Sequence, residues 1–137
     1  MMAQTPALWS FEEDILNRSW EDWLVAHLSF GKPLHRYEGV LTIYTNTLVL
    51  IGKEKKTKDE FSLEIYRQEM EQLYLGFDET FNASETRGFG LTWLPLRLIF
   101  TKDDQIRKLY LIINYSFGKT DNKEYFEFLK QWVSGMT

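Results

Sequence analysis

Residues 37–52, Tyr-Glu-Gly-Val-Leu-Thr-Ile-Tyr-Thr-Asn-Thr-Leu-Val-Leu-Ile-Gly, leave the backbone few choices. The run is dense in β-branched and aromatic side chains, which pack well on a pleated surface. Val40, Thr42 and Tyr44 alternate with Leu41 and Ile43, the period-2 spacing of a strand. Thr45-Asn46 interrupts the run, and asparagine tolerates the positive φ that a tight turn demands. A second arm, residues 48–51, ends at Gly52. The segment predicts a β-hairpin, and a chain built around it is mainly β.

The alternation continues downstream. Phe61, Leu63 and Ile65 alternate with Ser62, Glu64 and Tyr66, the pattern of a half-buried strand. Residues 73–77, 96–100 and 109–113 read as further short strands, the last two joined through Lys102-Asp103-Asp104-Gln105. Residues 78–92 read as a long loop, with Asn82, Ser84, Gly88 and Gly90 as breakers. Near the C-terminus the period changes. Phe126, Leu129, Trp132 and Val133 fall on one face of a helix that Thr120 or Asp121 can cap and Gly135 can end.

Upstream, Ser10-Phe11-Glu12-Glu13 has capping-box spacing and predicts a short helix over 11–19. Residues 23–30 read either as more of that helix or as a strand with Leu24, Ala26, Leu28 and Phe30 on one side. The strand is the preferred reading, and a helix there would point to a different small α+β or barrel fold. The expected organisation is an N-terminal extension, 1–21, and one domain, 22–137.

The 137 residues fit a single domain, and 44% apolar with 16% aromatic content supplies a core without staples. With no cysteine there is no disulfide, zinc–thiolate site or cysteine nucleophile. Met1 to Pro6 lacks a basic head followed by an apolar stretch, so it does not read as a secretory leader. No apolar run approaches the roughly 18–20 residues that span a bilayer. The expectation is a soluble cytoplasmic protein, with contact at the inner membrane face left open. Net charge is −4 over residues 1–30, +4 over 31–58 and −4 over 59–137. An acidic total argues against nucleic acid as a partner.

Seven strands followed by one helix is the element order of the pleckstrin-homology (PH)-like superfold. Residues 39–50, Gly-Val-Leu-Thr-Ile-Tyr-Thr-Asn-Thr-Leu-Val-Leu, resemble the G-x-Leu-x-Leu-Thr-x-x-Arg-Leu-Ile-Phe hairpin of GRAM and bacterial PH-like domains. Thr47 stands where that family usually carries arginine. Residues 61–65 and 70–76 resemble the family's next two strands, and Trp132 falls where PH domains often carry a core tryptophan. The likeness covers residues 22–134. It implies a seven-stranded, partly open barrel capped by a C-terminal helix. It also implies a non-catalytic binding or adaptor module whose ligand is a protein or peptide. The alternatives are anionic lipid-headgroup binding and a homo-oligomeric structural role.

The resemblance brings loops 31–36, 53–59 and 102–107 together at the open end of the barrel. They carry Lys32, Arg36, Lys53, Lys55, Lys56, Lys102 and Arg107, the candidate anion-binding set, with His35 and Lys58 alongside. A phosphate needs several positive donors converging from different segments. Charged hairpin loops also occur simply for solubility, and Glu54, Asp59, Asp103 and Asp104 dilute the patch. The candidate partner-binding residues are Phe81, Phe89 and Trp93 in the long loop and Tyr125 and Phe128 on the last helix. The loop aromatics could instead fold over the core, and those on the helix could plug the barrel. A homodimer through the loop surface is a variant.

Catalysis finds little support in these residues. His27 and His35 are the only histidines, no His-x-x-x-His spacing occurs, and Gly88-Phe89-Gly90 lacks the third glycine of a nucleotide fingerprint. Asp78 and Glu79 are sequence neighbours, which a strand would point to opposite faces. No cofactor is expected.

Overall fold

The computed structural model describes residues 1–17, 35–81, 93–116 and 118–135. Seven strands form one antiparallel sheet: β1 (Ala3–Phe11), β2 (Tyr37–Ile43), β3 (Thr47–Glu54), β4 (Glu60–Tyr66), β5 (Met70–Leu75), β6 (Leu96–Lys102) and β7 (Gln105–Ile113). Their spatial order is β4-β3-β2-β1-β7-β6-β5, so among the described residues β4 and β5 are the two edge strands. The sheet curls into a half-barrel. A five-residue helix α1 (Glu12–Leu16) follows β1, and a 13-residue helix α2 (Asn122–Ser134) closes the fold. This is the PH-like arrangement of a partly open barrel and a C-terminal helix. No helix among the described residues is long and apolar enough to cross a membrane.

The first strand is a correction to the sequence reading. Residues 1–21 were expected as an N-terminal extension with a short helix and no strand, yet Ala3–Phe11 pairs with both β2 and β7 and is the central strand. The expected boundary at 21/22 therefore cuts off a strand that the domain needs. Pro6 misleads because proline cannot donate to a ladder. Here β7 pairs only with Ala7 to Phe11, so the N-terminal half of β1 has a neighbour on one side alone. The helix expected over 11–19 begins at Glu12 and has its C-cap at Asn17. Ser10 does not cap it. The Ser10 hydroxyl accepts the Arg36 N–H at 2.9 Å, and Asp14 accepts the Phe11 N–H at 2.8 Å. The strand preferred over 23–30 lies outside the described residues.

Inward side chains of all seven strands form the main core. Trp9, Leu41, Ile43, Leu50, Leu96, Leu98, Phe100, Leu109, Leu111 and Ile113 are buried with Leu129 and Trp132 of α2. Gly39 and Gly52 face each other across β2 and β3. A Cβ on either would come within 2.1 Å of the facing strand's carbonyl oxygen, so only glycine allows the approach. Beside them Trp9, Phe11, Tyr37 and Phe61 pack ring to ring, with Tyr37 and Phe61 4.4 Å apart between centroids. This aromatic cluster fills one end of the barrel.

At its other end α2 is fastened at both termini. Asn122, 1% exposed, accepts from the Ile113 N–H at 2.8 Å and donates to the carbonyls of Leu94 at 2.6 Å and Leu111 at 3.1 Å. Trp132 Nε1 donates to the Tyr44 carbonyl at 2.8 Å, tying the helix to the β2–β3 turn.

Candidate functional site

The basic segments meet as follows. Lys55 N–H donates to the Arg36 carbonyl at 2.8 Å, so the segment before β2 and the β3–β4 loop lie side by side. Arg36 is paired with Asp14 and, at 3.4 Å, with Glu54. The Asp14 hydrogen bond raises the already high pKa of Arg36 and keeps it charged. Arg107 reaches the same end, with a guanidinium nitrogen 2.6 Å from Glu13 and its centre 3.8 Å over the Phe11 ring. Lys108 is 3.2 Å from Glu12.

Lys102 does not join them. It is 3.5 Å from Glu69, in the 3-10 turn Arg67–Glu69 between β4 and β5, and lies over the Tyr66 ring. Lys53 sits on β3 in register with Glu38 on one side and Glu60 on the other. Lys55 is half-buried, whereas Lys56 and Lys58 are exposed near the loop tip. Lys32 lies outside the described residues.

The sequence reading missed the acids. Glu12 and Glu13 were read only as part of a capping-box spacing, and Asp14 only as falling within the helix over 11–19, with no link to the basic loops. Each now holds a cation of the barrel end. The signal was an unbroken acidic triplet in a segment of net charge −4, opposite in sign to the segment from 31 to 58.

The loop aromatics are placed in a second core on the outer face of β1 and β7. Phe81, 2% exposed, and Trp93, 7% exposed, pack with Leu8, Ile15, Tyr110 and Ile112. These two are therefore covered, not offered to a partner. Phe89 lies outside the described residues. Tyr125 and Phe128 are half-buried and pack against the main core.

One polar cluster fixes the start of the long loop. Asp78 accepts from the Tyr110 hydroxyl at 2.7 Å and Arg97 at 2.9 Å, and from the backbone N–H groups of Phe81 at 2.7 Å and Thr80 at 2.9 Å. Burial pushes the Asp78 carboxyl up, but these donors outweigh it and hold the group below the usual aspartate range. Burial, then the bond to Asp78, push the Tyr110 phenol well above its usual range. Both groups are committed to one another and to holding the loop.

A pH signature follows. Tyr110 keeps its proton where an unfolded tyrosine loses it, so its contribution is full below about pH 10 and falls as pH rises above that. Alkaline titration followed by tyrosinate absorbance should show one of the seven tyrosines ionising only with unfolding. Tyr110→Phe should abolish that component, and its persistence would refute the assignment. The depressed Asp78 carboxyl acts at the other end of the scale. Its contribution is full above the ordinary aspartate value of about 4 and is lost as pH falls through the folded value. Asp78→Asn should cost about 1–3 kcal/mol at neutral pH in denaturant unfolding.

A shallow cleft of about 370 Å³ opens on the outer face, lined by Pro6, Ala7, Leu8, Glu38, Gly39 and Tyr115. His35 Nε2 lies 3.2 Å from Glu38 at its rim. Among the described residues no group of three or more His, Cys, Asp or Glu side chains is placed to hold a metal ion.

No protein-family model matches this chain, and no curated protein matches it.

Proposed function

We propose that this protein is a non-catalytic intracellular binding module of the PH-like, GRAM-like kind, and that it takes a protein or peptide segment as an added strand on the outer edge of β5. The observation that carries this reading is the free edge itself. Among the described residues β5 ends the sheet and α2 packs against it, while Tyr125 and Phe128 of α2 lie half-buried against the main core. The Gly76 N–H donates to the Pro95 carbonyl at 3.0 Å, continuing the β5–β6 ladder. Alternation along an antiparallel strand then turns the backbone groups of Leu73 and Leu75 to the open side. An extended peptide gains main-chain bonds from such an edge and specificity from alternate side chains set against the helix.

The non-catalytic part of the reading rests on what the shifted groups do. Asp78 and Tyr110, the kind of perturbed pair that marks many active sites, bond each other and secure a loop.

Panning a displayed random-peptide library against the protein, then following the backbone amides by NMR, tests the proposal. Selected peptides should move the Leu73 and Leu75 amides most. Leu73→Pro removes one outward donor without touching the β6 ladder and should weaken binding by about tenfold, worth ~1.4 kcal/mol. Peptides that bind while leaving the β5 amides unmoved would overturn it.

The anion-binding alternative at the basic end keeps one specific support, the convergence of Arg36, just before β2, and Arg107, on β7. In the observed state both face carboxylates of α1.

A further inference from the structure

Arg36 and Arg107 flank one pair of aromatic rings. The Arg36 guanidinium lies 5.1 Å from the centroid of Tyr37, and that of Arg107 lies 3.8 Å from the centroid of Phe11. The two rings meet edge-on with centroids 6.3 Å apart. Two cations, one from the residue just before β2 and one from β7, the neighbours of β1 on its two sides, are thus brought to one place. Each is met by a carboxylate from consecutive residues of α1, Glu13 for Arg107 and Asp14 for Arg36. Carboxylate–guanidinium and phosphate–guanidinium pairs share the same forked geometry.

We propose that α1 is an autoinhibitory strap, whose Glu13 and Asp14 occupy in cis the guanidinium positions that a phosphate-bearing ligand takes when α1 lifts away. This is independent of the β5 edge, which lies at the far side of the sheet order. The strap is built to be released. A five-residue helix is too short to hold itself. Among its own residues only Ile15 is buried, at 4% exposure. The Arg107–Glu13 pair is open to water, with side chains 33% and 53% exposed, so salt screens it. Asp14 is the firmer half, with its side chain 5% exposed and also bound to the Phe11 N–H. Glu12 adds a third contact through Lys108, off the Arg36–Arg107 pair. A ligand that binds only the lifted state must overcome the closed population, which lowers its apparent affinity.

The probes are inorganic pyrophosphate, read by calorimetry, and phosphatidylcholine vesicles with and without a phosphatidylinositol phosphate, read by co-sedimentation. Glu13→Gln alone leaves the fold intact because the side chain is exposed. Glu13→Gln with Asp14→Asn keeps an oxygen acceptor for the Phe11 N–H while removing both charges. The single variant should bind at least one probe about tenfold more tightly than the unaltered protein, and the double variant more tightly still. Adding Arg107→Gln should return the single variant to the starting affinity. Gain for pyrophosphate alone assigns the site to soluble phosphates, and gain for vesicles alone assigns it to a headgroup held in a surface. The proposal is overturned if Glu13→Gln gains nothing for either probe, or if its gain survives Arg107→Gln.

Discussion

Trp132→Ala should lower the unfolding free energy by about 3–5 kcal/mol, the range for deleting a fully buried large aromatic. Trp132 is 0% exposed and stands among the largest buried side chains of the core. It joins α2 to the barrel interior and, through Nε1, to the Tyr44 carbonyl. Domains of this size hold only about 5–15 kcal/mol in total, so the loss is a large share. Urea unfolding should show a lower midpoint with an unchanged slope. Trp132→Phe separates the two contributions. It keeps much of the ring volume but leaves the Tyr44 carbonyl without its donor, at about 1–3 kcal/mol. If both variants cost the same, packing is not the larger part.

Asn122→Leu should cost about as much by a different route. The leucine fits an apolar site in size but orphans the Ile113 N–H and the carbonyls of Leu94 and Leu111. Each buried orphan costs about 1–3 kcal/mol. Asn122→Asp sharpens the test. It keeps the acceptor for Ile113 but turns a charge toward two carbonyls. Burial there raises the pKa of the new carboxyl, so the variant recovers stability as pH falls and the acid becomes a donor. A pH-independent deficit in Asn122→Asp would contradict this account.

The β arms and the last helix were legible because short-range patterns carry them. The hairpin over 37–52 appears as β2 and β3, the Phe61–Ile65 alternation as β4, and the Phe126–Val133 face as α2. Trp132 was recognised as a core residue through family likeness. The central strand was hidden. Residues 3–11 contain a proline, and their burial depends on two partners distant in sequence. The pattern there runs exposed then buried on both faces, because the second core covers the outer side of Leu8. Period-2 reasoning assumes one wet face and has no means to register a strand coated on both.

The candidate site was half legible for a similar reason. The basic residues cluster in sequence between 31 and 58, so a charge count found them. Their partners belong to the stretch just after β1, and only the fold brings Asp14 to Arg36 and Glu13 to Arg107. Phe81 and Trp93 stood out because aromatics are unusual in loops, and of the two readings, partner contact or folding back over the core, the structure shows the second. The clamp at Asp78 fixes the backbone at Thr80 and Phe81, and it depends on Arg97 and Tyr110 from two later strands.

The place of β1 also bears on how the chain reaches this state. This strand precedes every other described strand in the chain, yet half of its ladder waits for β7, where Phe11 meets Leu109 and Ala7 meets Ile113. Closing a loop that spans most of the chain must precede the reward of those bonds, and topologies rich in such pairings fold slowly. Until β7 arrives, β2 can offer β1 one side only. The sheet should therefore form as locally paired hairpins first and become whole in a late step that joins β1 to β7.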